Sequence, residues 1–332
     1  MIKKIIMSKK RTDEELKYVI NVLFDDENIK IDFAHISKIL DNLRLISKTR
    51  FMKFNYCPLS FKYQWIYGLP IKETKEMVLG HNLHLMNKIF WRTIPIELIK
   101  RNDFDELLNF YIKNIPKEYK NNEEILRLSK SFITFEQNRI TDITNKLGNE
   151  KHIIKKYIYP FLLEVPIENY TYNIMGIIDR IDFLSNNKFA IIEYKFGKYK
   201  EYENYYNKVS IDLEMHFYKL LLEKDAYIVN SENKIEPLNI YLNYNDVEYY
   251  TMIFFDKLEK IKLNKFNNEI LNLILSKIEY IFDSIEINDF QPNPNKSCPR
   301  LCDFFWDYCL KYKKTKKYFG SEIDDNIRNK LL

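Results

Sequence analysis

Apolar residues recur along this chain in two rhythms, and the change between them near residue 153 organises everything else. Before it, apolar positions fall three and four apart. Residues 12–25 and 31–46 read as two amphipathic helices, the second with Ile36, Ile39, Leu40 and Leu43 on one stripe. Thr49–Leu69 follows, dense in aromatics around Cys57-Pro58. A helix is predicted from Lys75 to Trp91, with Met77, Leu83, Leu85, Met86, Ile89 and Phe90 as its apolar positions. Residues 103–148 read as further helices that end at Gly148.

From Ile153 the segments 154–168, 172–184 and 188–195 are rich in Ile, Tyr, Phe and Val and read as strands, with a tight turn at Ser185-Asn186-Asn187. A helix near 203–224, strands near 226–230, 236–244 and 248–255, and a long helix near 256–284 complete the pattern, which Pro292 and Pro294 break. The sequence shows no internal repeat. It predicts one α/β domain carrying a helical insertion.

Composition narrows the picture. A chain of 332 residues, 46% hydrophobic, is long enough for one large core or two modest ones. A formal net charge of +5 is too mild to announce a nucleic-acid partner by itself. Met1–Arg11 is basic, but its apolar trio Ile5, Ile6 and Met7 is far short of a signal-peptide core. No apolar run approaches the roughly 18 residues needed to span a bilayer. The cytoplasm is therefore the expected compartment, where structural disulfides are rare and cysteines read as metal ligands or core fillers.

Candidate chemistry gathers on the predicted hairpin. Glu193 and Lys195 are two apart on a strand, so both side chains leave one face of the sheet. Asp179, in Gly176-Ile-Ile-Asp179, lies on the preceding strand, where pairing brings it near Glu193. Two carboxylates on adjacent strands make a hard, oxygen-rich site suited to Mg²⁺ or Mn²⁺, and such an ion polarises a scissile phosphate. Lys195 is placed to stabilise the charge that develops there. Glu-x-Lys is also a common solvated strand face, but Ile191, Ile192 and the Ile177-Ile178 pair mark buried strands, where unpaired charge is costly. On the helix near Lys75, His81 and His84 are both open as further ligands. Beyond the lysine strand, Glu214 and Tyr218 share a helix face at i, i+4 and either contact the site or nucleic acid or simply pack on the sheet.

All four cysteines fall in two places: Cys57 alone, then Cys298, Cys302 and Cys309 together. Zinc and [4Fe–4S] both accept four thiolates. Structural zinc sites usually use two short Cys-x-x-Cys knuckles, which neither half forms, so the wider 1+3 division favours the larger cluster. Phe54, Tyr56, Phe61 and Trp65 at one end, and Phe304, Phe305, Trp306 and Tyr308 at the other, offer an apolar shell.

In this order, Cys-Pro in an aromatic stretch, Gly80-x-x-x-His84, Gly176-x-x-Asp179, Glu193-x-Lys195, a helix with Tyr218, and three clustered cysteines, the chain resembles the RecB-like branch of the PD-(D/E)XK nucleases. It is most similar to the iron–sulfur members, which include the AddB nuclease domain and CRISPR-associated exonucleases. The resemblance runs from about Thr49 to Lys311. It implies a restriction-endonuclease-like core, a central mixed sheet flanked by helices. It also implies metal ligation by His84, Asp179, Glu193 and the Tyr194 backbone carbonyl, with Lys195 as catalytic lysine. By the same resemblance Cys57, Cys298, Cys302 and Cys309 hold a cluster that staples the N- and C-terminal parts of the domain. The expected division is N-terminal helices over 1–48, a nuclease domain over 49–311 with a helical insertion at about 95–150, and a C-terminal tail over 312–332.

Two positions depart from the family pattern. Glu214 stands where Gln is usual, and the cysteine gaps are each one residue wider than the commonest. The implied activity is a metal-dependent DNA nuclease, an exonuclease or one directed to single strands or ends, in DNA repair, recombination or CRISPR adaptation. The alternative is an inactive nuclease fold that binds DNA or acts as a scaffold. The sequence has no Gly-x-x-x-x-Gly-Lys-Ser/Thr phosphate loop, so a helicase partner is a separate protein, and a CRISPR adaptation protein is the other expected partner.

Overall fold

A computed structural model of the chain describes residues 1–24, 32–197, 208–229, 235–260 and 263–319. Parts of the helices expected over 12–25, 31–46 and 203–224, and of the strand over 226–230, lie outside the described residues. Two compact units emerge. The first is built from Met1–Lys72, Tyr172–Met175 and the chain from Asn272 onward, and the second from Glu73–Thr171 and Gly176–Leu271.

The strands in chain order are β1 (Ile46–Ser47), β2 (Leu162–Asn169), β3 (Ile174–Phe183), β4 (Phe189–Lys195), β5 (Ala226–Val229), β6 (Ile235–Pro237), β7 (Val247–Phe254), β8 (Glu259–Lys260) and β9 (Asn264–Lys265). In the first unit, β1 pairs in parallel with Ile174 and Met175. Helices Asp13–Leu23, Phe33–Leu43 and Lys48–Tyr56 bury Val19, Leu23, Ile36, Leu40, Leu43 and Phe51 there. The first of these starts on a capping box between Thr12 and Glu15.

The second unit holds the mixed sheet in the order β6-β5-β2-β3-β4-β7-β8, with β9 also on β7. The central pair β3–β4 is antiparallel and β4–β7 is parallel. β4 is buried along its whole length, as its Phe-Ala-Ile-Ile run requires. The helices Lys75–Thr93, Phe104–Lys113 and Glu123–Leu147 pack an aromatic core against Ile192, Tyr194, Phe196, Ile253 and Phe255. Asn122 caps the longest of them, and Gly148, at φ 101°, ends it. The helix Lys208–Leu222 packs on β2 and β4. A Cβ on Gly176 would sit 3.0 Å from Leu221 Cδ2, so only glycine admits this approach without displacing that leucine.

Several expectations change. The strand expected over 154–168 opens instead with a wide helical turn, Ile154–Ile158, and β2 begins only at Leu162. Pro160 disfavours helix at the residue before it and marks the switch. The long helix over 256–284 is shorter, Asn268–Glu286. Leu258, at φ 54°, turns the chain into β8 and β9 first, and Asn267 accepts the Glu269 N–H where the helix starts. The strand over 236–244 is cut short at Pro237, which has no N–H for a ladder. Ile177 is 49% exposed while Ile178 is buried, so only one of that pair marks a buried strand. The tight turn is present: Leu184 N–H reaches the Lys188 carbonyl at 2.7 Å, with Asn187 at φ 60°. Among the described residues no helix is long and apolar enough to cross a membrane.

Candidate active site

The hairpin register sets the site. Arg180 pairs with Ile192, so one step further along puts Asp179 beside Glu193. Asp179, Glu193 and Lys195 are all buried, with 9% or less of each exposed. Asp179 Oδ2 accepts the backbone N–H of Tyr194 at 2.7 Å, which fixes the carboxylate across the two strands. Lys195 Nζ donates to Glu193 Oε1 at 2.6 Å and to Glu214 Oε1 at 2.7 Å. The helix Lys208–Leu222 therefore brings Glu214 to the lysine. Tyr218 is buried on the same helix, its ring 3.9 Å from where a Cβ on Gly176 would stand.

His84 comes from the helix Lys75–Thr93, which Thr74 caps. Its Nδ1 lies 2.9 Å from Glu164 Oε1 and 3.6 Å from Asp179 Oδ1, and its ring meets Phe196 edge-on at 5.1 Å. His81, one turn earlier, is exposed. Burial works against a charged imidazole at His84. Asp179, the Glu164 hydrogen bond and charge, and Glu193 together outweigh it and raise the pKa to about 9.

One ligand atom each from His84, Glu164 and Asp179 lies within 4.8 Å of the others, a separation a single cation can bridge. Glu164 is absent from the sequence prediction. Its backbone is left-handed, φ 50°, inside a strand, a conformation that costs a non-glycine residue about 1 kcal/mol. Lys88 Nζ donates to its carbonyl at 3.2 Å and helps hold it there. The only signal in the sequence is a carboxylate in the apolar run Leu162-Leu163-Glu164-Val165. The expected trio His84, Asp179 and Glu193 is brought together, but the Glu193 carboxylate turns to Lys195, and Glu164 completes the tight group.

Behind the sheet lies a second set of charges that sequence reasoning missed. Arg180 is fully buried and bonds Glu136 at 2.6 Å, Asp182 at 2.6 Å and the Tyr194 hydroxyl at 2.8 Å. Arg139 joins through Glu136 at 2.7 Å, and the Trp91 ring lies 5.0 Å from the Arg180 guanidinium carbon. Burial opposes the charge on Glu136, but Arg139 and Arg180 outweigh it and hold its pKa below the usual carboxylate range.

In the first unit the four cysteines share one place as free thiols. Cys57, Cys298 and Cys309 are buried and Cys302 is half-buried. The Asn293 and Asn295 backbone N–H groups point at the sulfurs of Cys57 (3.5 Å) and Cys298 (3.3 Å), and Cys309 Sγ lies 3.3 Å from Thr315 Oγ1. Burial first, and the charge of neighbouring cysteines after it, raise the thiol pKa values of Cys298 and Cys302, and that of Cys309 to about 11. In the same unit Phe54 meets Phe61 and Phe290 edge-on, and those two rings stack on each other, at centroid distances of 5.4–6.4 Å.

A family profile described as the PD-(D/E)XK nuclease superfamily matches residues 45–309, a span that takes in every residue of these three groups except Thr315. The chain is also 24% identical, over 351 aligned residues and 98% of its length, to Protein Ycf2 of Physcomitrium patens. It spans about 15% of that protein.

Proposed function

Because the chain belongs to the PD-(D/E)XK nuclease superfamily, we propose that it is a Mg²⁺- or Mn²⁺-dependent deoxyribonuclease of the RecB-like branch, acting on single strands or ends. The observation that carries this reading is the His84–Glu164–Asp179 group held beside the Glu193–Lys195 pair. Carboxylate oxygens with one imidazole suit a hard divalent ion, held by His84, Asp179 and Glu193 with the Tyr194 carbonyl, and by Glu164. Bound there, the ion supplies Lewis-acid polarisation of a phosphate and a lowered pKa for the attacking water. Lys195 offers positive charge in a site where burial strengthens electrostatics, and Glu193 and Glu214 orient its ammonium. Asp179, Glu193 and Lys195 are all retained, which favours an enzyme over an inactive DNA-binding scaffold.

The cysteines fit a [4Fe–4S] cluster better than zinc. Four Zn–S bonds of about 2.3 Å place sulfurs about 3.8 Å apart. Among the described residues no three of these sulfurs lie within 4.8 Å of one another. The cluster's role is structural. It joins the two chain ends of a nuclease domain over 49–311 with its insertion at about 95–150. DNA repair, recombination and CRISPR adaptation are the processes such an enzyme serves, with a helicase or adaptation protein as partner.

The test is cleavage of end-labelled single- and double-stranded DNA by anaerobically purified protein, with Mg²⁺, Mn²⁺ or EDTA, beside Asp179→Ala. Metal-dependent cleavage that the variant loses is expected. A wild-type protein that loads metal but cuts no DNA, or a variant that cuts at the wild-type rate, sinks the proposal.

A further inference from the structure

The chain's positive charge is not spread evenly. Lys311, Lys313, Lys314, Lys316 and Lys317 follow one another with no acidic residue among them, and these five equal the formal net charge of the whole chain, +5. The helix Lys313–Phe319 presents Lys313, Lys314, Lys316 and Lys317 to solvent and turns Thr315 inward, where it is fully buried against Cys309. Among the described residues no ion pair engages those four lysines. Beside them opens a cleft of about 410 Å³ lined by Gln291, Pro292, Tyr312, Lys313, Lys314 and Lys317. The Tyr312 hydroxyl lies 3.5 Å from that of Tyr63, which holds its ring in place, and Tyr318, four residues after Lys314, is 49% exposed.

A solvated helix face usually mixes signs. This one concentrates like charge on a helix too short to be stable alone, at the cost of mutual repulsion. The buried Thr315 contact with Cys309 secures it. Lysines that track a backbone, beside aromatic rings that can stack on bases, are the ingredients of single-strand binding. We propose that the helix Lys313–Phe319, with Tyr312 and its cleft, is a single-stranded DNA contact surface mounted on the cysteine site. It rests on the nuclease reading for the identity of its ligand and names a binding element outside the candidate active site.

The experiment measures binding of a fluorescent oligonucleotide by anisotropy in EDTA, over a range of salt, for the full chain. It compares wild type with the quadruple Lys→Gln variant at 313, 314, 316 and 317 and with the quadruple Lys→Arg variant. Each single-strand phosphate neutralised contributes about 0.7 to the slope of log affinity against log salt. The glutamine variant should lose roughly 2 to 3 from that slope and about tenfold or more in affinity at 0.1 M salt, while melting like wild type. The arginine variant should retain both. A glutamine variant with the wild-type affinity and slope overturns the proposal. So does one that keeps the oligonucleotide but loses polyglutamate, since the face then fits an acidic polypeptide. Metal-dependent cleavage is read on the same preparations, so a protein that cuts DNA while the lysines prove idle refutes this surface alone. A wild type that neither binds nor cuts refutes the nuclease reading with it.

Discussion

Asp179 is held by the backbone of the residue that separates Glu193 from Lys195: its Oδ2 takes the Tyr194 N–H at 2.7 Å. A side chain of β3 thus replaces a rung of the ladder with β4, and the carboxylate cannot rotate without breaking a buried hydrogen bond. Its other oxygen is left facing His84.

Lys195→Ala should lower single-turnover cleavage roughly 10²-fold, the scale of losing one preorganised charge-stabilising group. Mn²⁺ affinity should change little. Glu214→Gln keeps an oxygen for the ammonium and should retain most activity, whereas Glu214→Ala removes the acceptor that lies 2.7 Å from Lys195 Nζ and should cost more. Rates for the three variants, beside Mn²⁺ titrations, check the ranking. A Glu214→Gln variant as slow as Lys195→Ala would place the carboxylate charge itself in the chemistry.

His84→Ala should weaken Mn²⁺ binding while His81→Ala, at an exposed position, should not. Glu164→Ala should cost about tenfold or more in affinity, as loss of a supporting partner typically does. Glu164→Gly removes the same carboxylate but relieves the left-handed backbone, so it should be about 1 kcal/mol more stable than Glu164→Ala. Calorimetric titration and urea unfolding separate the two effects, and equal stabilities would show that the strain is not there.

In EDTA, the His84 pKa of about 9 stands above the roughly 6.5 of the unfolded chain. A raised pKa contributes stability that is fully present below the unfolded value and is lost as pH rises through the folded one. Urea midpoints in chelator should therefore fall between pH 7 and 9.5, and His84→Gln should flatten that fall. An identical decline in the variant assigns it to another group.

Cys57→Ala should lose iron and lower the melting temperature. Cys57 and Cys298 are about 240 residues apart, and a cross-link model gives on the order of 5 kcal/mol for closing such a loop. A variant that loses its iron yet melts as wild type does would show that the cluster is no staple.

The grouping of Asp179, Glu193 and Lys195 was legible because it is local. The two-residue spacing of Glu193 and Lys195 fixes a common face whatever surrounds the strand, and the turn at Asn187 fixes the register that brings Asp179 alongside. Glu164 was not legible, since its part depends on a left-handed residue inside a strand, which neither periodicity nor propensity encodes. The Arg180 cluster was missed for a related reason. Glu136 and Arg180 are 44 residues apart and meet only once the helix Glu123–Leu147 lies on the sheet. The hairpin from β7 into β8 was hidden because the apolar residues Phe255, Leu258, Ile261 and Leu263 recur two and three apart, a spacing that fits a helix as readily.

Tyr194 carries a consequence for anyone who would shorten this protein. Its N–H faces Asp179 on one side of the sheet, and on the other its hydroxyl accepts from Arg180, whose charge is balanced by Glu136 of the helix Glu123–Leu147. Excising that helix to reach a minimal nuclease would take Glu136 from a fully buried guanidinium directly behind β4 and leave it to Asp182 and the Tyr194 hydroxyl, and breaking a buried pair from one side costs about 3–5 kcal/mol. Any trimmed version must replace Arg180 and Asp182 together with apolar residues of similar volume. For the same reason Glu136 and Arg180 are a pair that descendants of this chain can keep or discard only jointly.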